Sequence, residues 1–342
     1  MYSFANDYSE GACPKVMDAL NRTNNIQTPG YGLDVFCETA TNIIKKLTNH
    51  NDIDVHYITG GTPCNILAAS LLKPYEALIA VETGHINVHE TGGIELTGHK
   101  ILTCKGYHGK ITPGEIEQIV LKHTDEHMVK PKMVFISNAT EYGTVYYKKE
   151  LEDIANICKQ YDLYLYMDGA RIGNALTAND NDLTLEDITD YCDLFYIGGT
   201  KNGMLLGEAM VIKNDELKPN FRYLIKQHSS MLAKTRIIGL QFLVSLEDDT
   251  YFENARNANY CAQSLKYVLK QAHIKSYIDS STNQIFSIID NKLLERIKTK
   301  YIVTEWDKYD DDHTIVRFVC SWATKKSDIQ SFFNDLIDFL NY

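Results

Sequence analysis

The sequence predicts an α/β protein: a mainly parallel seven-stranded sheet with helices on both faces, followed by a smaller C-terminal α/β domain. Two observations carry this expectation. Seven short β-branched and aromatic runs alternate with helix-period segments through the first two thirds of the chain, the pattern of strands joined by crossover helices. After about Phe242 that rhythm gives way to one long helical segment and sparser strands.

The seven strands are expected at Val55–Thr59, Ala77–Glu82, Lys100–Thr103, Met133–Ser137, Leu163–Met167, Leu194–Ile197 and Ala209–Ile212. Between them, Pro63–Leu72 reads as a helix opened by a Gly-Gly-Thr turn, and Glu115–Lys122 as a second. Glu150–Gln160 places Leu151, Ile154 and Cys158 on one helical face. The smaller domain reads as a helix at Tyr251–Gln271, an isolated strand at Gln284–Ile289, a helix at Lys292–Lys298, a strand at Thr314–Val319 and a last helix at Ser327–Leu340. This divides the chain into an N-terminal segment of residues 1–30 that reaches the active site, a large ligand-binding domain of residues 31–245, and a small domain of residues 246–342. The acidic cluster Asp310–Asp312 reads as a solvated turn.

Bulk properties narrow the class. A chain of 342 residues can bury a sizeable core. Its net charge of −11 argues against a nucleic-acid partner, because a phosphate backbone calls for a basic face. No run of eighteen apolar residues occurs, so no membrane span is expected. The start, MYSFANDYSEG, lacks the basic and apolar regions of a signal peptide. The eight cysteines are scattered without a Cys-x-x-Cys pair, which reads as reduced core thiols in a cytoplasmic protein.

Ligands of open parallel sheets bind beyond the carboxyl ends of the strands, so the residues there carry the functional reading. Leu163–Met167 runs into Asp168-Gly169-Ala170-Arg171, and Leu194–Ile197 into Gly198-Gly199-Thr200-Lys201-Asn202-Gly203. A strand-end carboxylate can hold the proton of a heteroaromatic nitrogen, and a glycine-flanked lysine can serve as a Schiff-base amine. Pyridoxal 5′-phosphate (PLP) asks for both. Singly, Asp168 has the plainer reading of a helix cap and Lys201 that of an exposed loop lysine. Together, at consecutive strand ends, they are far more specific. Thr59-Gly60-Gly61-Thr62 offers backbone N–H groups and a hydroxyl to a phosphate, though alone it reads as a capped turn. His85, after the strand Ala77–Glu82, could stack on a flat ring or relay protons.

Further segments fall in order along the chain: Asn6-Asp7, Tyr31-Gly32-Leu33-Asp34, Gly60-Gly61-Thr62, His85 with Glu90-Thr91-Gly92-Gly93, and Asn138-Ala139-Thr140-Glu141-Tyr142-Gly143. Asp168-Gly169-Ala170-Arg171, Gly199-Thr200-Lys201-Asn202-Gly203 and Arg317-Phe318-Val319 complete the set. With these segments the sequence resembles the threonine aldolase / aromatic amino acid β-eliminating lyase family of fold-type-I PLP enzymes, especially its low-specificity L-threonine aldolase-like members. The resemblance implies a fold-type-I, transferase-like architecture and covalent attachment of PLP to Lys201. It implies that Asp168 meets the ring nitrogen, His85 stacks on the ring, and Gly61 and Thr62 bind the phosphate. Arg171 and Arg317, with Asn6, would take the substrate carboxylate. Tyr31 would come from a neighbouring subunit, so a homodimer or homotetramer with shared sites is implied. Asn6-Asp7 stands where the family usually has Ser-Asp, His228 where an arginine is frequent, and Thr235 where a glycine is frequent. Lys234 and Arg236 remain candidates for the phosphate or a subunit interface.

The activity so implied is retro-aldol cleavage of a β-hydroxy-α-amino acid such as L-threonine or L-allo-threonine to glycine and an aldehyde, with His85 as base. Four alternatives stand beside it. β-Elimination from cysteine, serine or an aromatic amino acid, or racemisation, would use the same cofactor. A metalloenzyme would use His85, His89 and Glu90, although the intervening Glu of a metalloprotease helix is absent and no metal is expected. A non-catalytic member of the fold and a nicotinamide enzyme are weaker readings, the last because no Gly-x-Gly-x-x-Gly opens a helix.

Overall fold

The computed structural model describes residues 1–341. Seven strands form one sheet: β1 (Asp54–Ile58), β2 (Glu76–Val81), β3 (Lys100–Cys104), β4 (Lys130–Ser137), β5 (Tyr164–Asp168), β6 (Leu194–Gly198) and β7 (Glu208–Ile212). Their spatial order is β1-β7-β6-β5-β4-β2-β3. The pairs β6/β5, β5/β4, β4/β2 and β2/β3 are parallel, while β7 runs antiparallel to both of its neighbours.

The sheet is apolar on both faces because helices cover both, which explains why its strands read as near-continuous hydrophobic runs. Alternate residues feed two cores. One takes Ile79, Val134, Ile136, Leu165, Met167, Phe195, Ile197 and Val211. The other takes Leu78, Met133, Phe135, Tyr166, Tyr196 and Met210. The helix after β1 spans Gly61–Ala69, beginning two residues before the expected Pro63. Its first residues are glycine and threonine, which carry little helical signal in sequence. Several helices were not anticipated, among them Pro14–Thr23, Val35–Thr48 and Arg236–Leu246. The second is capped by Asp34, whose side chain accepts from the N–H groups of Phe36 and Cys37.

The smaller domain holds a four-stranded antiparallel sheet of β8 (Lys275–Ile278), β9 (Gln284–Asp290), β10 (Thr304–Lys308) and β11 (His313–Val319), ordered β10-β11-β9-β8. The strand expected to be isolated, β9, therefore lies inside a sheet, between β8 and β11. Sequence signals for β8 and β10 are weak because both are largely exposed and polar. Helices Thr250–Gln271, Asn291–Lys298 and Lys326–Asn341 pack on this sheet.

The first residues of the chain join this second core. Tyr2–Ser3 pairs in parallel with Tyr301–Ile302, and Phe4, fully buried, packs against Tyr301, Phe318 and Phe332. The eight cysteines are all free, and only Cys104 is partly exposed. Among the described residues no helix is long and apolar enough to cross a membrane. Because Phe4 fills a core built from the far end of the chain, Phe4→Ala is expected to lower stability by about 3–5 kcal/mol. Chemical denaturation of the two proteins side by side checks this.

Candidate active site

The carboxyl ends of the strands enclose a cleft of about 290 Å³, lined among others by Thr59, Gly60, Gly61, Thr62, His85, Asp168, Arg171 and Lys201. Sequence segments more than a hundred residues apart thus meet at one place.

Asp168 is the last residue of β5 and is buried. A buried carboxylate needs donors, and three converge on it. Its Oδ1 accepts the Tyr196 hydroxyl at 2.5 Å and the Ala170 N–H at 3.0 Å, and its Oδ2 accepts Asn65 Nδ2 at 3.2 Å. Tyr196 comes from the adjacent strand β6, and Asn65 from the helix Gly61–Ala69. Burial and the neighbouring Asp168 push the Tyr196 hydroxyl far above its usual range, so it stays a donor.

Asn65 extends this arrangement to His85. Its Nδ2 also donates to Glu90 Oε1 at 2.6 Å, and its Oδ1 accepts the Tyr166 hydroxyl at 2.6 Å. Glu90 Oε1 in turn lies 2.8 Å from His85 Nδ1. Facing a carboxylate, which can only accept, Nδ1 carries the proton and Nε2 is left as the basic nitrogen. His85 opens a short helix, His85–Val88, and the His85 and His89 rings lie 5.5 Å apart. Among the described residues no group of three His, Cys, Asp or Glu side chains is arranged to hold a metal ion. Glu90, read as a possible ligand, spends Oε1 on His85 and Asn65.

Lys201 sits in a loop held at three points. The Gly199 N–H donates to Glu208 Oε2 at 2.7 Å, the Gly207 N–H to Thr200 Oγ1 at 3.0 Å, and Asn202 Nδ2 to the Tyr251 carbonyl at 2.8 Å. Burial first, and then the Arg171 charge, hold the Lys201 ammonium below its usual range. Burial likewise pushes the Glu208 carboxyl up to about 7.

The two arginines differ. Arg171 is clamped by Asp7, with Nε–Oδ2 at 2.7 Å and Nη2–Oδ1 at 3.0 Å, and Asp7 Oδ2 also accepts Asn283 Nδ2 at 2.9 Å. Arg317 donates only one long bond, Nη2 to the Ala5 carbonyl at 3.3 Å, and lies over the Trp306 ring at 5.0 Å. Its buried Nε has no partner among the described residues. Burial and the nearby Arg171 lower its guanidinium to about 10.

The remaining expected residues lie elsewhere. Asn6 does not line the cleft; its Oδ1 accepts from the Tyr8 N–H and the Ser9 hydroxyl. Tyr31, 45% exposed and in left-handed backbone, also stands outside the cleft of its own chain, with Lys226 over its ring. Arg236 donates to the carbonyls of Thr23 and Ile26, and His228 Nε2 pairs with the Ser70 hydroxyl. Lys234 borders a separate groove beside Thr23–Thr28. Sequence reasoning missed Asn65, Tyr196, Glu208 and the clamping role of Asp7. Only the position of Tyr196 and Glu208 next to expected strand ends could have drawn attention to them.

The chain matches the family described as beta-eliminating lyase over residues 4–292. A low specificity L-threonine aldolase of Pseudomonas sp. (strain NCIMB 10558) is 33% identical over 345 residues, covering 97% of this chain and 96% of that protein. A solved structure of Leishmania major threonine aldolase superposes with a TM-score of 0.98 at 44% identity, over 99% of this chain and 100% of the other. An aspartate aminotransferase double mutant from Thermus thermophilus, 13% identical, matches with a TM-score of 0.73 over 99% of this chain and 91% of its own, a likeness of fold alone. The architecture is that of fold-type-I PLP enzymes.

The Asp7–Arg171 pair generates a stability prediction. Burial alone would raise the Asp7 carboxyl, but Arg171 and Lys201 overcome this and hold it below the usual carboxylate range. Its folded pKa is thus below its unfolded one, so its contribution is complete above about pH 4 and is lost as pH falls towards the folded value. Asp7→Asn leaves the largely buried Arg171 guanidinium uncompensated and is expected to cost about 3 kcal/mol at pH 7. Denaturation midpoints at pH 7 and in the acid range test it; the difference should narrow on acidification.

Proposed function

The chain belongs to the beta-eliminating lyase family, and from that premise we propose that it is a PLP-dependent aldehyde-lyase. Its proposed reaction cleaves L-threonine or L-allo-threonine to glycine and an aldehyde by retro-aldol chemistry. The observation that carries this reading is Lys201 and Asp168 lining one cleft: a half-buried amine with a disfavoured charge, and a carboxylate steadied by three donors.

The residues present fit the cofactor. At Gly61 a Cβ would stand 2.8 Å from the Tyr196 hydroxyl, so the chain there can pass over that ring only as glycine, with the N-terminus of a nine-residue helix turned to the cleft. Gly61 and Thr62 would hold the phosphate, Asp168 the ring-nitrogen proton and Lys201 the covalent link. When bound, PLP supplies an electron sink for the carbon–carbon bond that breaks.

The chain's own side chains then divide the labour. Lys201 is attached most readily as a neutral amine, and the neighbouring Arg171 together with burial favours that form. Asp168 would hold the ring-nitrogen proton, with Tyr196, Ala170 and Asn65 fixing the direction of its oxygens. Arg317, with donor capacity unspent, takes the substrate carboxylate; Arg171, already paired with Asp7, contributes charge and shape. His85 Nε2 accepts the proton of the substrate β-hydroxyl, while Glu90 holds Nδ1–H and the ring orientation. Tyr31, exposed beyond its own cleft, is proposed to complete the cleft of a neighbouring copy in a homo-oligomer.

Borohydride reduction of the PLP-loaded protein followed by peptide mapping is expected to mark Lys201. Label on another lysine overturns the assignment. Lys201→Ala should lose both the visible cofactor band and aldehyde release from threonine. His85→Ala should keep cofactor binding yet lower kcat by about 10²–10⁴-fold, the usual contribution of a general base. A coloured His85→Ala protein with near wild-type turnover would remove His85 from the reaction.

A further inference from the structure

One buried carboxyl on the cleft wall has no part in the scheme above. Glu141 lines the cleft and is 8% exposed. Its Oε1 accepts two donors, the His85 N–H and the Ser137 hydroxyl, each at 2.8 Å. Its Oε2 is buried with no partner among the described residues. Glu90 shows the same imbalance, but it engages His85 Nδ1 and does not line the cleft.

The charge state follows from these surroundings. An ionised Glu141 would hold an anionic oxygen out of water with no donor, in the neighbourhood of Asp168, which carries the same sign. The titratable groups that bear on it are His85, Asp168, Arg171, Tyr142 and Tyr146. Burial, followed by the Asp168 charge, raises the Glu141 carboxyl despite the donors from Ser137 and His85. Protonation removes the unpartnered anion and creates one O–H in need of an acceptor.

We propose that Glu141 is a neutral carboxylic acid in the resting enzyme and donates its Oε2–H to an oxygen of the bound ligand, a second protic group beside His85. The acceptor is a hydroxyl or oxyanion oxygen, supplied by the cofactor ring or by the substrate β-hydroxyl. The proposal rests on the reading of the cleft given above. It also explains why this side chain grips the His85 backbone: the same residue that meets the ligand sets where the ring of His85 begins.

The test compares wild type, Glu141→Gln and Glu141→Ala. Infrared difference spectra of wild type minus Glu141→Gln at pH 7 are expected to show the carbonyl band of a neutral carboxylic acid; carboxylate bands in its place overturn the proposal, whether or not the variants are active. PLP titration of the apoprotein and threonine kinetics of the holoenzyme form the second measurement. Glu141→Ala should lose about tenfold, the worth of one buried hydrogen bond, and Glu141→Gln, which retains a donor, should recover most of that loss. A loss already present in PLP titration assigns the acceptor to the cofactor, and a loss confined to threonine kinetics assigns it to the substrate. No loss in either, or Glu141→Gln as impaired as Glu141→Ala, overturns the proposal alone. A wild-type protein that fails to bind PLP overturns the reading it rests on.

Discussion

The proposed chemistry depends on keeping a carboxylate in a nearly dry place. Asp168 is buried, and an unpaired charge there would be costly enough to shift its protonation or unfold its surroundings. The cost is met by donors from three separate parts of the chain: a hydroxyl on the next strand, an amide on a helix across the cleft, and a backbone N–H in its own turn. Each donor fixes a requirement on the fold. Tyr196 reaches Asp168 because β5 and β6 are adjacent and parallel, and Asn65 reaches it because the helix after β1 lies over the same strand ends.

Close approach is the second requirement. Gly61 passes against the Tyr196 hydroxyl and Gly169 against the Tyr196 carbonyl, so a side chain at Gly61 or Gly169 would push the strand ends apart. Tyr196 therefore meets two elements at once: its hydroxyl donates to Asp168 and also leaves no room for a side chain at position 61. The lysine loop obeys the same economy, with ties to Glu208, Gly207 and Tyr251 that limit the backbone freedom otherwise conferred by Gly199 and Gly203.

What was legible in the sequence was local. The seven strands of the large sheet carry continuous apolar runs, and the turns after β1, β5 and β6 carry glycine and polar residues within a few positions of a strand end. These features survive in a one-dimensional reading, and they placed Gly61, Thr62, His85, Asp168, Arg171 and Lys201 in the cleft they line. The partners of those residues were not legible, because each comes from a distance. Asn65 stands 103 positions from Asp168, Tyr196 stands 28 from it, and Asp7 stands 164 from Arg171. Nothing in the neighbourhood of Asn65, an amide in a weakly patterned helix, marks it as the link between a histidine and an aspartate. The half-exposed strands β8 and β10 escaped for a related reason: their stability comes from pairing with β9 and β11, and their own residues alternate poorly.

The hydrogen-bond ledger also separates residues that hold the site from residues with capacity left for a ligand. Buried polar groups are normally satisfied, so the exceptions carry information. Asp7 and Arg171 satisfy each other, and Asn283 joins them, tying the N-terminal segment and the small domain to the end of β5. A guanidinium so engaged is poorly placed to close a second bidentate pair. Arg317, on β11 of the small domain, is different: its Nε is without a partner and its one bond to protein is long. The unspent donor capacity thus belongs to a residue of the small domain that stands near Arg171 without lining the cleft, whereas the residues that line the cleft come from the strand ends of the large one and from Tyr8. The seating of Tyr2–Ser3 and Phe4 against the small domain also sets the position of this guanidinium, since Ala5, the next residue, supplies the carbonyl that accepts from Arg317.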